Sequence, residues 1–146
     1  MDPRAGAVTR RGRAALDLPS RGPQQADARH RVARSIDRAR DGLSTRYVIR
    51  TGGAPVGTIG LAHLDGTSPD VFYALLPAGR GAGIATRSVV ALADWALSHG
   101  AESVRVRTMV GNGASEAVAR RAGFTFTEEL VDEFDGARLR AWTRLA

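Results

Sequence analysis

The chain has 146 residues, enough for one domain with a real core; a chain of this length buries roughly 70% of the surface it exposes when unfolded. It has no cysteine, which excludes disulfides and thiolate metal sites, and no apolar run near the ~20 residues that span a bilayer. All 21 basic residues are arginine and the net charge is +6, a bias that a GC-rich coding sequence explains more simply than attraction to an anionic partner.

Residues 1–23, rich in Arg, Gly and Ala, read as a flexible or remodelled N-terminal segment without the apolar stretch of a secretion signal. Cytoplasmic localisation is expected by default. Gln24 to Arg40 has helical spacing, with Ala28, Val32, Ser35, Ile36 and Ala39 near one face and arginines around the rest. Residues 1–50 hold 12 arginines against five acids, but no interleaved aromatics for base stacking. A solvated helix face explains those arginines better than a nucleic-acid arm, and no nucleic-acid partner is expected.

Arg46 to Thr51 is a strand, Gly52-Gly53-Ala54-Pro55 a tight turn, and Val56 to Leu64 the next strand, containing His63. After a second turn at Asp65 to Pro69, the apolar run Val71 to Leu76 completes a three-strand meander. Pro77 stops it. The glycine-rich loop Arg80-Gly81-Ala82-Gly83 then opens a helix from about Gly83 to Ser98, with Ala85, Val89, Leu92 and Ala96 on its apolar side. Strand, glycine loop and helix start together make an anion site. Unpaired N–H groups and the helix dipole attract phosphates, and glycines let them come close.

Ser103 to Val110 alternates as a strand, with Val104, Val106 and Thr108 on one face and Arg105 and Arg107 on the other. Gly111-Asn112-Gly113 breaks it, and Ala114 to Ala122 is a short helix closed by Gly123. Phe124 to Phe134 and Arg138 to Leu145 are expected to pair through a two-residue Asp135-Gly136 turn. The order, helix, three strands, helix, strand, helix, two strands, gives a mixed α/β domain over residues 24–146. It argues against a regular dinucleotide-binding alternation.

Three matches make this chain resemble the GCN5-related N-acetyltransferase superfamily, specifically its ribosomal-protein-alanine acetyltransferase-like branch. They are Arg80, Gly83 and Ala85 in the cofactor signature, Asn112 and Ser115 after the next strand, and Ala122-Gly123-Phe124 at the end of the short helix. The resemblance implies a mixed, mostly antiparallel central sheet with flanking helices. It also implies that the strand and helix that open the family's fold are shortened here, which bears on one wall of the acceptor cleft.

The implied activity is transfer of an acetyl group from acetyl-CoA to a primary amine, by direct attack in a ternary complex. The coenzyme A pyrophosphate would sit on Gly81, Ala82, Gly83, Ile84, Ala85 and Thr86, with Arg80 holding the loop. Pantetheine would pair like a strand with Tyr73, Ala74 and Leu75, and an amide near Leu75 would face the thioester carbonyl. Asn112 would hold the cofactor arm or cap the short helix.

For catalysis, Ser115 is the candidate proton donor to the departing thiolate. The tyrosine that many relatives place one turn later is Ala119 here. A glutamate base found on the strand before the asparagine in relatives corresponds to Arg107, which cannot serve. Among Glu128, Glu129, Asp132 and Glu133, Asp132 is placed best by the resemblance; His63 and a bound water are rivals. No metal is implied, and the partners expected are a small-molecule or peptide amine and a possible second copy of the chain. The acidic final hairpin mildly favours a cationic acceptor. A CoA-binding sensor or partner protein of the same fold, weakly catalytic or inactive, is the alternative.

Overall fold

Residues 23–146 of the computed structural model are described here. A helix, α1 (Pro23–Arg40), precedes a meander of β1 (Ser44–Thr51), β2 (Ala54–Ala62) and β3 (Asp70–Leu75). A 3-10 turn at Pro77–Gly79 leads to α2 (Ile84–Ser98), then β4 (Ser103–Met109), α3 (Gly113–Arg121), β5 (Thr125–Val131) and β6 (Arg138–Leu145). The flexible segment expected at residues 1–23 lies almost wholly outside the described residues.

The six strands form one sheet in the order β1-β2-β3-β4-β6-β5. All neighbours pair antiparallel except β3 and β4, which are parallel and joined through α2. A parallel pair needs such a crossover, whereas tight turns suffice for the rest. This is the mixed, mostly antiparallel sheet with flanking helices that the resemblance implies.

The core lies between one face of the sheet and the helices α2 and α3. Ile59, Leu61, Val71, Val104, Val106 and Trp142 from the strands meet Val89, Ala93, Ala96 and Ala119 from the helices. Each fully buried Val or Leu contributes about 1.5–3 kcal/mol relative to exposure. Alternation along β3 and β4 assigns the second face. Val71 and Tyr73 join the core side with Val104, Val106 and Thr108, so Asp70, Phe72, Arg105 and Arg107 belong to the opposite face.

Four expectations need correction. β2 ends at Ala62, so His63 is not a strand residue; it sits just beyond, in the left-handed region (φ 58°). β5 stops at Val131, and residues 132–137 form a loop in place of a two-residue turn. Asp132 and Asp135 cause this, because their carboxylates accept the amides of Phe134 and Ala137 and fold the chain back locally. On α2, Ala93 is the buried member of the stripe and Leu92 is only partly buried. The apolar side of α1 is not covered by the described residues: Val32 and Ile36 stay exposed.

Candidate active site

β3 and β4 pair at only two positions, Asp70 with Arg105 and Val71 with Val106, and then diverge. On its other edge β3 stays paired with β2 through Leu75. Leu76 N donates to Val56 O at 2.8 Å, so antiparallel alternation turns the main-chain groups of Tyr73 and Leu75 away from β2. They face the widening gap. The parting of this one parallel pair thus leaves a free strand edge inside the sheet, where an extended chain can add to it.

The gap opens onto the start of α2. Gly81 (φ 84°) and Gly83 (φ 70°) both lie in the left-handed region, and Gly83 is the N-cap. The first intrahelical donor is Arg87, whose amide reaches Gly83 O at 3.1 Å. The amides of Ile84, Ala85 and Thr86 precede it and point out of the helix end, where the dipole is positive. Two arginines hold the loop from outside. Arg80 Nη2 donates to Leu75 O at 3.3 Å, and Arg87 Nη1 donates to Ala82 O at 2.8 Å. Arg80 therefore ties the loop to β3, as the resemblance implies.

A cavity of about 770 Å³ occupies this region. Of the twelve residues expected to bind the cofactor, all but Ala82 line it: Tyr73, Ala74 and Leu75 on β3; Arg80, Gly81, Gly83, Ile84, Ala85 and Thr86 at the helix start; Asn112 and Ser115 at α3. Ala82 presents its carbonyl to Arg87 instead. Sequence reasoning missed Gly79 and, on the cavity side of α3, Ala114, Ala117, Val118 and Arg121. The signal for Arg121 was present as the Arg120-Arg121 pair closing the helix, one member of which must face away from the core.

Asn112 caps α3, its Oδ1 accepting the amide of Ser115 at 3.2 Å. That bond uses the carbonyl end and leaves the side-chain amide donors for a ligand, so cap and cofactor contact are compatible. Ser115 is half-buried, in the first turn of α3. Ala119 is fully buried in the core, a position with no room to present a hydroxyl to the gap.

A second, smaller cavity of about 280 Å³ adjoins the first. Tyr73 and Ser115 line both. The remaining lining comes from both faces of the sheet at the point where β3 and β4 part: Val71 and Val106 on the core side, Asp70, Phe72 and Arg107 on the other. The cavity therefore sits where the two strands part, with residues of both sheet faces in its lining. The Tyr73 hydroxyl is buried without a partner among the described residues.

Asp70 was not singled out from the sequence. It is buried (8% exposed) and central to a charged cluster. Arg105 Nε lies 2.9 Å from one of its oxygens and Arg107 Nη2 3.0 Å from the other. His63 Nε2 is 3.5 Å away, so the histidine weighed as a base belongs to the same cluster. The available signal was an acid opening an apolar strand. Asp132 is not brought to either cavity. It lies in the 132–137 loop beyond the sheet's outer strands, its carboxylate committed to the Phe134 amide at 2.8 Å. No cluster of metal-ligating side chains occurs among the described residues, and no helix there is long and apolar enough to cross a membrane.

Residues 8–125 match the acetyltransferase (GNAT) domain family. No curated protein sequence matches the chain. Among solved structures, the microcin C7 self-immunity acetyltransferase MccE, in complex with acetyl-CoA and AMP, superposes with a TM-score of 0.73 at 18% identity, over 83% of this chain and 71% of that one. RimL, the ribosomal L7/L12 alpha-N-protein acetyltransferase in complex with coenzyme A, gives 0.72 at 24% identity, over 89% and 77%. The spermidine N-acetyltransferase from Vibrio cholerae, in complex with CoA and spermine, gives 0.69 at 16% identity, over 80% and 74%. At these identities the superpositions establish the fold.

Proposed function

Because this chain belongs to the GNAT acetyltransferase family and is an acyltransferase with acetyl-CoA as co-substrate, we propose that it transfers the acetyl group to a primary amine by direct attack in a ternary complex. The observation that carries this reading is the free edge of β3 meeting the N-terminus of α2 in one cavity. A long chain ending in a diphosphate needs both at once: strand-like pairing for the pantetheine amides, and unpaired N–H groups for the phosphates.

Acetyl-CoA supplies the acyl group as a thioester, already activated towards an amine. The amides of Ile84, Ala85 and Thr86 bind the pyrophosphate, and Arg121 adds positive charge from α3. The main chain of Tyr73 and Leu75 orients the arm. The Leu75 amide, turned into the gap, donates to the carbonyl oxygen as negative charge builds there. The Asn112 side-chain amide steadies the arm from the other wall. Ser115, at the junction of the two cavities, gives its proton to the departing thiolate; a thiol pKa of about 8.5 makes modest help sufficient. The incoming amine approaches through the smaller cavity and loses its proton to water there. Asp132 stands outside both cavities and Asp70 is already held by two guanidiniums.

A CoA-binding protein of the same fold without useful catalysis is the second reading. It is favoured by Arg107 and Ala119, which stand where the family resemblance puts a glutamate and a tyrosine. Thiol release from acetyl-CoA, measured with a panel of primary amines, separates the two. The expected result is acceptor-dependent release in the wild type. Ser115→Ala should lower kcat at least tenfold while the calorimetric affinity for acetyl-CoA stays within about twofold. Acetyl-CoA binding with no acceptor-dependent release would support the second reading. Failure of the folded wild type to bind either CoA or acetyl-CoA at millimolar concentration would overturn both.

A further inference from the structure

We propose that the acceptor is a small primary amine that also carries a carboxylate, and that Arg107 selects it. This rests on the acetyltransferase reading above and names its substrate class. The smaller cavity takes part of its lining from the sheet face opposite α2 and α3, and the charges of that lining do not balance. Among the described residues, Asp70 is the only carboxylate in its lining. Arg105 and Arg107 both bind it, leaving one net positive charge from two guanidiniums and one carboxylate. A third guanidinium, that of Arg46, lies over the ring of Phe72 at 4.8 Å, and Phe72 is part of the same lining.

Arg107 is the member of this cluster that faces the cavity itself. It spends one nitrogen, Nη2, on Asp70 at 3.0 Å, and its side chain keeps 39% of its surface accessible. Nη2 carries a second hydrogen, and together with a neighbouring N–H of the same guanidinium it can receive a carboxylate through two parallel bonds. A polyamine would bring like charge against three arginines. An uncharged amine would gain nothing from them. An amine with a carboxylate a few atoms away places its nitrogen at the Tyr73–Ser115 junction and its anion on Arg107. The acidic hairpin formed by β5 and β6, which favoured a cationic acceptor in the sequence, contributes no lining residue to this cavity.

The test is acetyl-CoA-dependent thiol release with glycine, β-alanine and 4-aminobutyrate, the amide of each, and spermidine. The three amino acids vary the distance between amine and anion. At least one should exceed its own amide about tenfold in kcat/KM, the scale of one charge-assisted pair, and should exceed spermidine. Arg107→Gln should bring that ratio close to one. Arg107→Lys, which keeps the charge, should retain a preference, and Arg107→Glu should turn it towards spermidine. Acetyl-CoA affinity by calorimetry and the melting temperature are read for every variant, and the Lys variant stands in if the Gln variant does not fold. The inference is overturned if the wild type prefers the amides or spermidine, if Arg107→Gln leaves the ratio unchanged, or if acetyl-CoA binds but no amino acid releases thiol. Loss of acetyl-CoA binding by the wild type itself would instead remove the acetyltransferase reading beneath it.

Discussion

Tyr73 carries a hydroxyl that is shielded from water and has no hydrogen-bond partner among the described residues. A buried unpaired polar group costs roughly 1–3 kcal/mol, so its place between two cavities is unfavourable for stability by itself. The same place puts it beside Ser115, where acyl group and amine would meet. Tyr73→Phe should therefore leave the melting temperature of the ligand-free protein unchanged or raise it, while kcat for thiol release falls about tenfold. A fall of several degrees would mean that the hydroxyl is bonded in solution. Ser115 and Asn112 are the opposite case, since each combines a local structural duty with the proposed one. The Asn112 cap uses Oδ1 and the Ser115 main chain, leaving the Asn112 side-chain N–H groups and the Ser115 hydroxyl for chemistry.

Among the elements, the hairpin of β5 and β6 closes the sheet on the side away from β3, and its charges are structural. Glu129 on β5 accepts from Arg138 Nη2 at 2.8 Å and from Arg140 Nε at 3.1 Å. Arg140 also reaches across to buried Glu116 on α3 at 3.1 Å, so one guanidinium joins the helix to the sheet. The hydrogen bond from Arg140, then that from Arg138, holds the Glu129 carboxyl below the usual carboxylate range. A carboxyl depressed in the folded state stabilises it above the unfolded pKa of about 4.3, and that contribution disappears as pH falls through the lower folded value. The melting temperature of the wild type should thus exceed that of Glu129→Gln at pH 7, by a small margin because the pair is solvent-exposed. The gap should close below about pH 4. A gap independent of pH would mean that packing, and not charge, explains the difference.

For the molecule as a whole, the decisive feature is a sheet held together at one end and parted at the other. In the proposed reaction the parted end would receive the co-substrate at the start of α2 and the acceptor at the smaller cavity beside it. Amide exchange should report this: acetyl-CoA should slow exchange at Tyr73, Leu75, Ile84, Ala85 and Thr86 at least tenfold and leave β5 and β6 unchanged. Equal slowing across the whole sheet would indicate general stabilisation without a strand-like contact. The glycine loop, the Asn112–Ser115 pair and the strand alternation were legible in the sequence, because each is set by neighbours within a few residues. Positive φ at Gly83, an N-cap bond three residues long and Val104-Val106-Thr108 facing one way are local events. The extent of β5 was less legible, since Asp-Gly reads as a tight turn until Asp132 captures the Phe134 amide. Asp70 was not legible at all. An acid at the start of a strand has no meaning until β4, which begins 33 residues later, places Arg105 and Arg107 beside it. The chain alone thus determined most of its elements, the glycine loop at the start of α2 and its family. The free edge of β3, the cavities beside it and the arginine pair on Asp70 belong to the tertiary structure, because they arise where strands distant in sequence pair for two residues and then part.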